Sequence, residues 1–192
     1  LYYGAGTGGD RISNYFSSRN GWYVDYRKEI VKEDKGEYAS LRDERIFKYP
    51  KIYITRTGNP FKAFLDENSY ASNNFFSLQF KNYEENNLDE LKVILPFIIT
   101  KLSQYFIRKF AAPRLGNTFV ETKIIHLLKM RIPSLTNAQK KKLVQYVDSA
   151  TLFAKDQDND GLSRIQVQID QMVYQLYSLT PEDIAVVEGN KQ

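Results

Sequence analysis

The sequence predicts an α+β fold, with a mixed, β-rich domain over residues 1–135 followed by a helical tail over residues 136–192. Three observations carry this. Residues 1–80 set aromatic and aliphatic positions in alternation between turn-forming clusters, the period-two pattern of strands. From about residue 87 the apolar positions recur at three and four, the period of helices. The chain has 192 residues of which 42% are hydrophobic, enough for a buried core and too many for a disordered chain.

The elements follow in order. Gly4, Gly6, Gly8 and Gly9 read as a turn with tight backbone geometry. Gly21–Tyr26 is aromatic and partly alternating. Lys48–Thr57 reads as a strand, with Ile52 and Ile54 alternating with Tyr53 and Thr55, and Thr57-Gly58-Asn59-Pro60 as the turn that ends it. After a polar Ser72-Asn73-Asn74 turn, Phe75–Phe80 gives another strand.

Asn87 or Asp89 then caps a long helix near 88–110. Its apolar side is Leu91, Ile94, Leu95, Ile98, Leu102, Tyr105, Phe106 and Ile107. Pro96 should kink this helix or mark its true start. Pro113–Lys123 is a polar, glycine-containing loop, and Lys123–Met130 a short amphipathic segment stopped before Ile132-Pro133. Thr136 with Gln139 forms a capping-box pattern opening a helix to about Lys155, expected to bury Leu143, Val144, Val147, Leu152 and Phe153. A further helix follows Gly161, with Leu162, Ile165, Ile169, Met172, Val173 and Leu176 on one face. Thr180-Pro181-Glu182-Asp183 supplies a cap, a proline at the first helical position and acids on the helix dipole.

Composition narrows the function. With no cysteine, disulfides, thiol catalysis and cysteine-ligated metals are excluded. The longest apolar stretch, around Val93–Ile99, is far too short to span a bilayer, and the start does not resemble a signal peptide, so no membrane partner and a cytoplasmic location are expected. The chain opens on Leu1 rather than Met, which reads as a processed or excised piece. The net charge is only +4, yet residues 101–150 hold ten Lys/Arg against two acids, whereas residues 151–192 hold three against seven. A basic middle with an acidic tail favours a polyanion on one part of the surface.

Four motifs invite chemistry and fall short of it. Asp156-Gln157-Asp158-Asn159-Asp160-Gly161 matches the first half of a calcium loop, but Val167 stands where the bidentate glutamate belongs, so it reads as an acidic turn between helices. Asn59-Pro60-Phe61 follows a strand as the amino-methyltransferase motif does, but has one proline where that motif has two. The glycines at 4–9 lack the Lys-Ser/Thr of a phosphate loop. His126 is the lone histidine, without a nucleophile partner motif, and reads as structural. No catalytic, cofactor-binding or metal-ligating residue is therefore assigned.

What remains suits nucleic acid. Arginine reads guanine and asparagine reads adenine through paired hydrogen bonds, while lysines hold phosphates. The candidate base readers are Arg56, Asn59, Lys62, Asn73, Asn74, Arg114 and Asn117. The candidate phosphate contacts are Lys101, Arg108, Lys109, Lys123, Lys129 and Arg131.

Several segments together resemble a known family. Ile169, Asp170, Val173, Tyr174, Leu176, Tyr177, Leu179, Thr180, Glu182, Asp183 and Ile184, completed by Val187-Glu188-Gly189, closely resemble the signature "iDxxVYxLYxLTxEEI…VEG". That signature ends many Taq I-type adenine-specific DNA methyltransferases and fused restriction–modification enzymes. Phe47, Pro50, Lys51, Ile52 and Arg56 resemble the family's "F..PKI...R" strand. Phe97–Phe110 with Ala111–Thr118 resembles its helix and loop, and Met130-Arg131-Ile132-Pro133 its "PIP" stop. Pro96 and Ser178 depart from the pattern, the latter where the family often has glycine.

The resemblance implies a C-terminal target-recognition domain that grips double-stranded DNA and chooses the sequence. It implies a separate catalytic part, either an upstream methyltransferase domain of the same polypeptide or a methylase subunit. S-adenosylmethionine is the cofactor expected of that parent enzyme, with none on this chain. The alternatives are half of a type I restriction specificity subunit and, in another class, a protein-interaction module that does not bind DNA.

Overall fold

The structure, a computed structural model, describes residues 2–3, 12–18, 23–36, 41–58, 60–71, 74–82, 87–110 and 123–189. The glycine turn at 4–9 and the polar loop over 113–122 lie outside them. The fold is α+β, as the sequence predicts. A two-residue antiparallel pair, β1 (Tyr2–Tyr3) and β2 (Tyr23–Val24), comes first. One-turn 3-10 helices at Lys28–Ile30 and Glu33–Lys35 and a short helix α1 (Arg45–Lys48) lead to the main sheet.

That sheet has three antiparallel strands in the order β4-β3-β5, with β3 (Lys51–Thr55) central between β4 (Ala63–Asp66) and β5 (Phe75–Leu78). Alternation sends β3's side chains to opposite faces, and both faces are covered. Ile52 and Ile54 join the helical core, while Tyr53 meets Phe64 and Phe75 at ring-centroid distances of 5.9 and 5.7 Å. The registers are Ile54 opposite Ala63 on one side and Phe76 on the other. β4 is absent from the sequence reading, because Ala63-Phe64-Leu65-Asp66 has no alternation of polarity. Its strand character comes from pairing with β3, and Tyr15 extends that edge by donating its backbone N–H to the Ala63 carbonyl at 2.9 Å.

The expected long helix at 88–110 is three helices: α2 (Leu88–Ile94), α3 (Pro96–Ile99) and α4 (Lys101–Phe110). Asn87 caps the first, its side chain accepting from the Asp89 N–H. Pro96 opens the second, where its missing N–H costs no hydrogen bond. Thr100 is extended and nearly inaccessible, which ends α3 and starts α4 anew.

α5 (Ile124–Leu127) precedes the two longest helices, α6 (Asn137–Asp156) and α7 (Asn159–Leu176). The Thr136–Gln139 capping box forms as expected. The buried stripe of α6 is Leu143, Val147, Ala150 and Ala154 at four-three-four spacing. Leu152, expected inside, falls off that stripe and is 56% exposed. α7 begins two residues before Gly161, not after it. Asp158 caps it by accepting from the Gly161 N–H at 2.8 Å. A Cβ at Gly161 would lie 2.4 Å from that carboxylate and 2.7 Å from the Phe153 ring, so only glycine fits. α8 (Pro181–Val187) starts on the Thr180–Asp183 capping box.

One apolar cluster runs from Ile52 and Ile54 through Leu91, Leu95, Ile99 and Ile107 to Val147 and Ile169. The helical tail therefore shares its core with the sheet. Among the described residues, no helix is long and apolar enough to cross a membrane.

Candidate nucleic-acid interface

Antiparallel pairing brings the end of β3 beside the starts of β4 and β5, and three of the candidate readers sit there. The Arg56 N–H donates to the Asn74 carbonyl at 2.9 Å. Across the hairpin, the Lys62 N–H donates to the Thr55 hydroxyl at 2.9 Å. Arg56 is half-buried, with its guanidinium carbon 5.4 Å from the Phe76 ring centroid, which orients its planar donors. Lys62 is exposed, and its ammonium donates to the Ile12 carbonyl at 2.8 Å. Asn59 and Asn73 lie outside the described residues.

α4 lies against this end of the sheet. The Gln104 side-chain amide donates to the Phe61 carbonyl at 3.1 Å, and Phe61 is buried. Arg108 is one turn further along the same helical face. Arg108 and Lys109 are both exposed, the latter with its ammonium 5.4 Å from the Tyr105 ring centroid. Lys129, after α5, reaches back over Phe110 at 5.5 Å and so joins α5 to the end of α4. Lys123 and Arg131 are exposed on either side of it. Among the described residues, Arg108, Lys109, Lys123, Lys129 and Arg131 form no salt bridge. Arg114 and Asn117 lie outside the described residues.

Lys101 differs from the other phosphate candidates. It opens α4, and its ammonium is 3.0 Å from a Glu188 carboxylate oxygen. Its backbone N–H donates to Asp170 Oδ1 at 3.0 Å, so a carboxylate from α7 accepts from the first turn of α4, while the Thr100 hydroxyl just before it pairs with the Ser103 hydroxyl. Asp170 is almost wholly inaccessible. Gln166 also donates to Oδ1 at 3.3 Å, while Oδ2 has no hydrogen-bond partner among the described residues. Burial pushes the Asp170 carboxyl above the usual range, against the lowering effect of its hydrogen bonds and of Lys101. Tyr15 completes the group, donating to Gln166 at 2.7 Å.

These contacts give the resembling motifs a structural meaning. Asp170, Tyr174 and Glu188 of the terminal motif fasten α7 and α8 to the start of α4. Tyr177 donates to the Arg131 carbonyl and holds the segment before α6. Lys51 of the strand motif is fully buried. Its ammonium donates to the Phe47 and Tyr49 carbonyls at 2.8 and 2.9 Å and pairs with Asp66 at 3.1 Å. Phe47 stacks on Tyr70 at 4.7 Å. Charge alone marks Lys51 as another surface lysine. Only its place in a strand buried on both faces shows that it is internal.

The remaining motifs are structural in the same way. Asp158 is the cap of α7. His126 is buried, and its Nδ1 accepts from the Lys123 N–H at 3.3 Å, closing the first turn of α5. Among the described residues no cluster of three or more acids or histidines is arranged to hold a metal. In comparisons with known proteins, the chain matches no family profile and no curated protein sequence.

Proposed function

We propose that the chain is the DNA-recognition module of a restriction–modification adenine methyltransferase, presenting target DNA to a catalytic domain carried upstream or on a separate methylase subunit. One observation supports this above the others. The sheet end that gathers Arg56, Lys62 and Asn74 adjoins a helix whose far end offers Arg108 and Lys109 to solvent with no described carboxylate on them. Base readers beside phosphate contacts is the division of labour that DNA recognition needs. Arg56, stacked on Phe76, is suited to paired hydrogen bonds with a guanine edge. Lys101 has no part in this reading, since Glu188 engages it.

The reading is tested by fluorescence anisotropy with a labelled duplex of roughly 30 base pairs and mixed sequence, from about 50 to 200 mM salt, where each neutralised phosphate contributes about 0.9 to the log–log slope. Binding that weakens steeply over this range is expected. Salt-independent binding, or none at micromolar protein, would refute it. S-adenosylmethionine, the cofactor of the parent enzyme, should leave the melting temperature of this chain unchanged.

A further inference from the structure

α5 is apolar on both faces. His126 is buried, and Leu127 and Met130 pack on the core, so the inward side is filled. Ile124, Ile125 and Leu128 point the other way and expose 57%, 55% and 75% of their surface. Phe110, 53% exposed, is brought alongside by the Lys129 contact over its ring. Four large apolar side chains thus share one corner, although a folded chain ordinarily scatters such exposure singly. The border of the corner is cationic: Lys129 lies over the Phe110 ring, and Lys123 stands exposed at the start of α5.

The rim selects the occupant. A basic border around aliphatic side chains is complementary to a partner that is anionic at its edges and apolar between them. Duplex DNA has this character, with phosphates on each side of a stack of bases, and proteins that unstack DNA press Leu, Ile, Phe or Met between base steps while cations hold the flanking phosphates. Extruding a base leaves a gap of the same kind to be filled.

We propose that the α4–α5 corner is the apolar wedge of this module, with Ile124, Ile125 and Leu128 set against an unstacked base step and Lys123 and Lys129 on the phosphates beside it. The inference rests on the DNA-binding reading and adds to it the surface and the manner of contact. A wedge favours DNA in which unstacking is already complete.

The experiment compares two duplexes of roughly 30 base pairs, one intact and one with a central abasic site, titrated with the whole chain and with the double variant Ile125→Ser/Leu128→Ser. Both substituted side chains are largely exposed, so the variant should keep its circular dichroism spectrum and melting temperature. The wild type should bind the abasic duplex about tenfold more tightly, since its central step is already unstacked. The variant should lose that preference and keep the salt slope. Lys123→Glu/Lys129→Glu should weaken binding to both duplexes alike.

Three results would overturn the wedge. Equal wild-type affinity for the two duplexes would do so, as would an undiminished preference in the serine variant. A variant that instead changes oligomeric state in light scattering would assign the corner to a second copy of the chain. In each case salt-dependent binding of the wild type leaves the DNA-recognition reading standing. Its absence removes both.

Discussion

At the start of α4, Lys101 is held by Glu188 and its N–H by the inaccessible Asp170. At the end of the same helix, Arg108 and Lys109 stand in solvent. In the sequence these are three cations in one basic run, and a reading by charge assigns all three to phosphate. The structure divides them. The start of α4 meets the acidic tail through Asp170 and Glu188, whereas no described acid pairs with Arg108 or Lys109 at its end. Whether a cation is paired within the fold or left in solvent is decided by what lies opposite it, which linear charge density does not encode.

The largest expected effect is at the folded end. Asp170→Ala should cost about 1–3 kcal/mol of stability, because it leaves the Lys101 N–H and the Gln166 amide without their acceptor. Chemical denaturation would show this. A loss below about 0.5 kcal/mol would mean that α4 needs no cap from α7.

At the other end, Arg108→Glu/Lys109→Glu should leave stability within about 0.5 kcal/mol, as exposed surface sites do. Its affinity for duplex DNA should fall tenfold or more, with a salt slope flatter by up to about 0.9 for each phosphate no longer neutralised. Equal effects of the two sets of mutations on stability would erase the contrast between the ends.

pH sharpens the comparison further. Since burial raises the Asp170 carboxyl in the folded state, folding favours its protonated form. That contribution is complete below the unfolded value near pH 4 and is lost as pH rises through the folded value. Asp170→Asn should flatten this decline in melting temperature above about pH 4, while retaining an acceptor for Lys101. A decline as steep as the wild type's would place its origin elsewhere.

Two smaller changes complete the series. Lys101→Met should cost under about 1 kcal/mol, because its partnership with Glu188 is partly exposed and screened. Ser178 sits at φ 54° just past the end of α7, with the Leu179 N–H returning to the Tyr174 carbonyl at 3.0 Å. Ser178→Gly should therefore raise stability by up to about 1 kcal/mol, a shift of a few degrees in melting temperature.

Legibility follows the range of the interaction. The caps at Thr136 and Thr180 and the break at Pro96 are readable because each depends on residues within a turn of one another, while the strand read over Lys48–Thr57 holds only for Lys51–Thr55, since Lys48 ends α1. β4 is not, since its four residues become a strand by pairing with β3. Leu152 is misplaced by periodicity, which fixes a helical stripe but not which stripe faces the core. Of the candidate site, Arg56, Lys62 and Asn74 can be named from residue type. Their meeting at one end of the sheet is a product of antiparallel register. Ile124, Ile125 and Leu128 read only as part of the amphipathic segment Lys123–Met130, since hydrophobicity records the tendency to be buried and not its fulfilment.

The sequence by itself determined the α+β class, the helix starts at Asn87, Thr136 and Thr180, and the separation of a basic middle from an acidic tail. These are local or additive properties that each residue carries wherever it is placed. Tertiary structure decided which end of α4 the tail would occupy, that Lys51 and Asp170 would be inside, and which cations and apolar side chains would be left at the surface. Burial and pairing are relations between residues distant in the chain, and they exist only once the fold has brought those residues together.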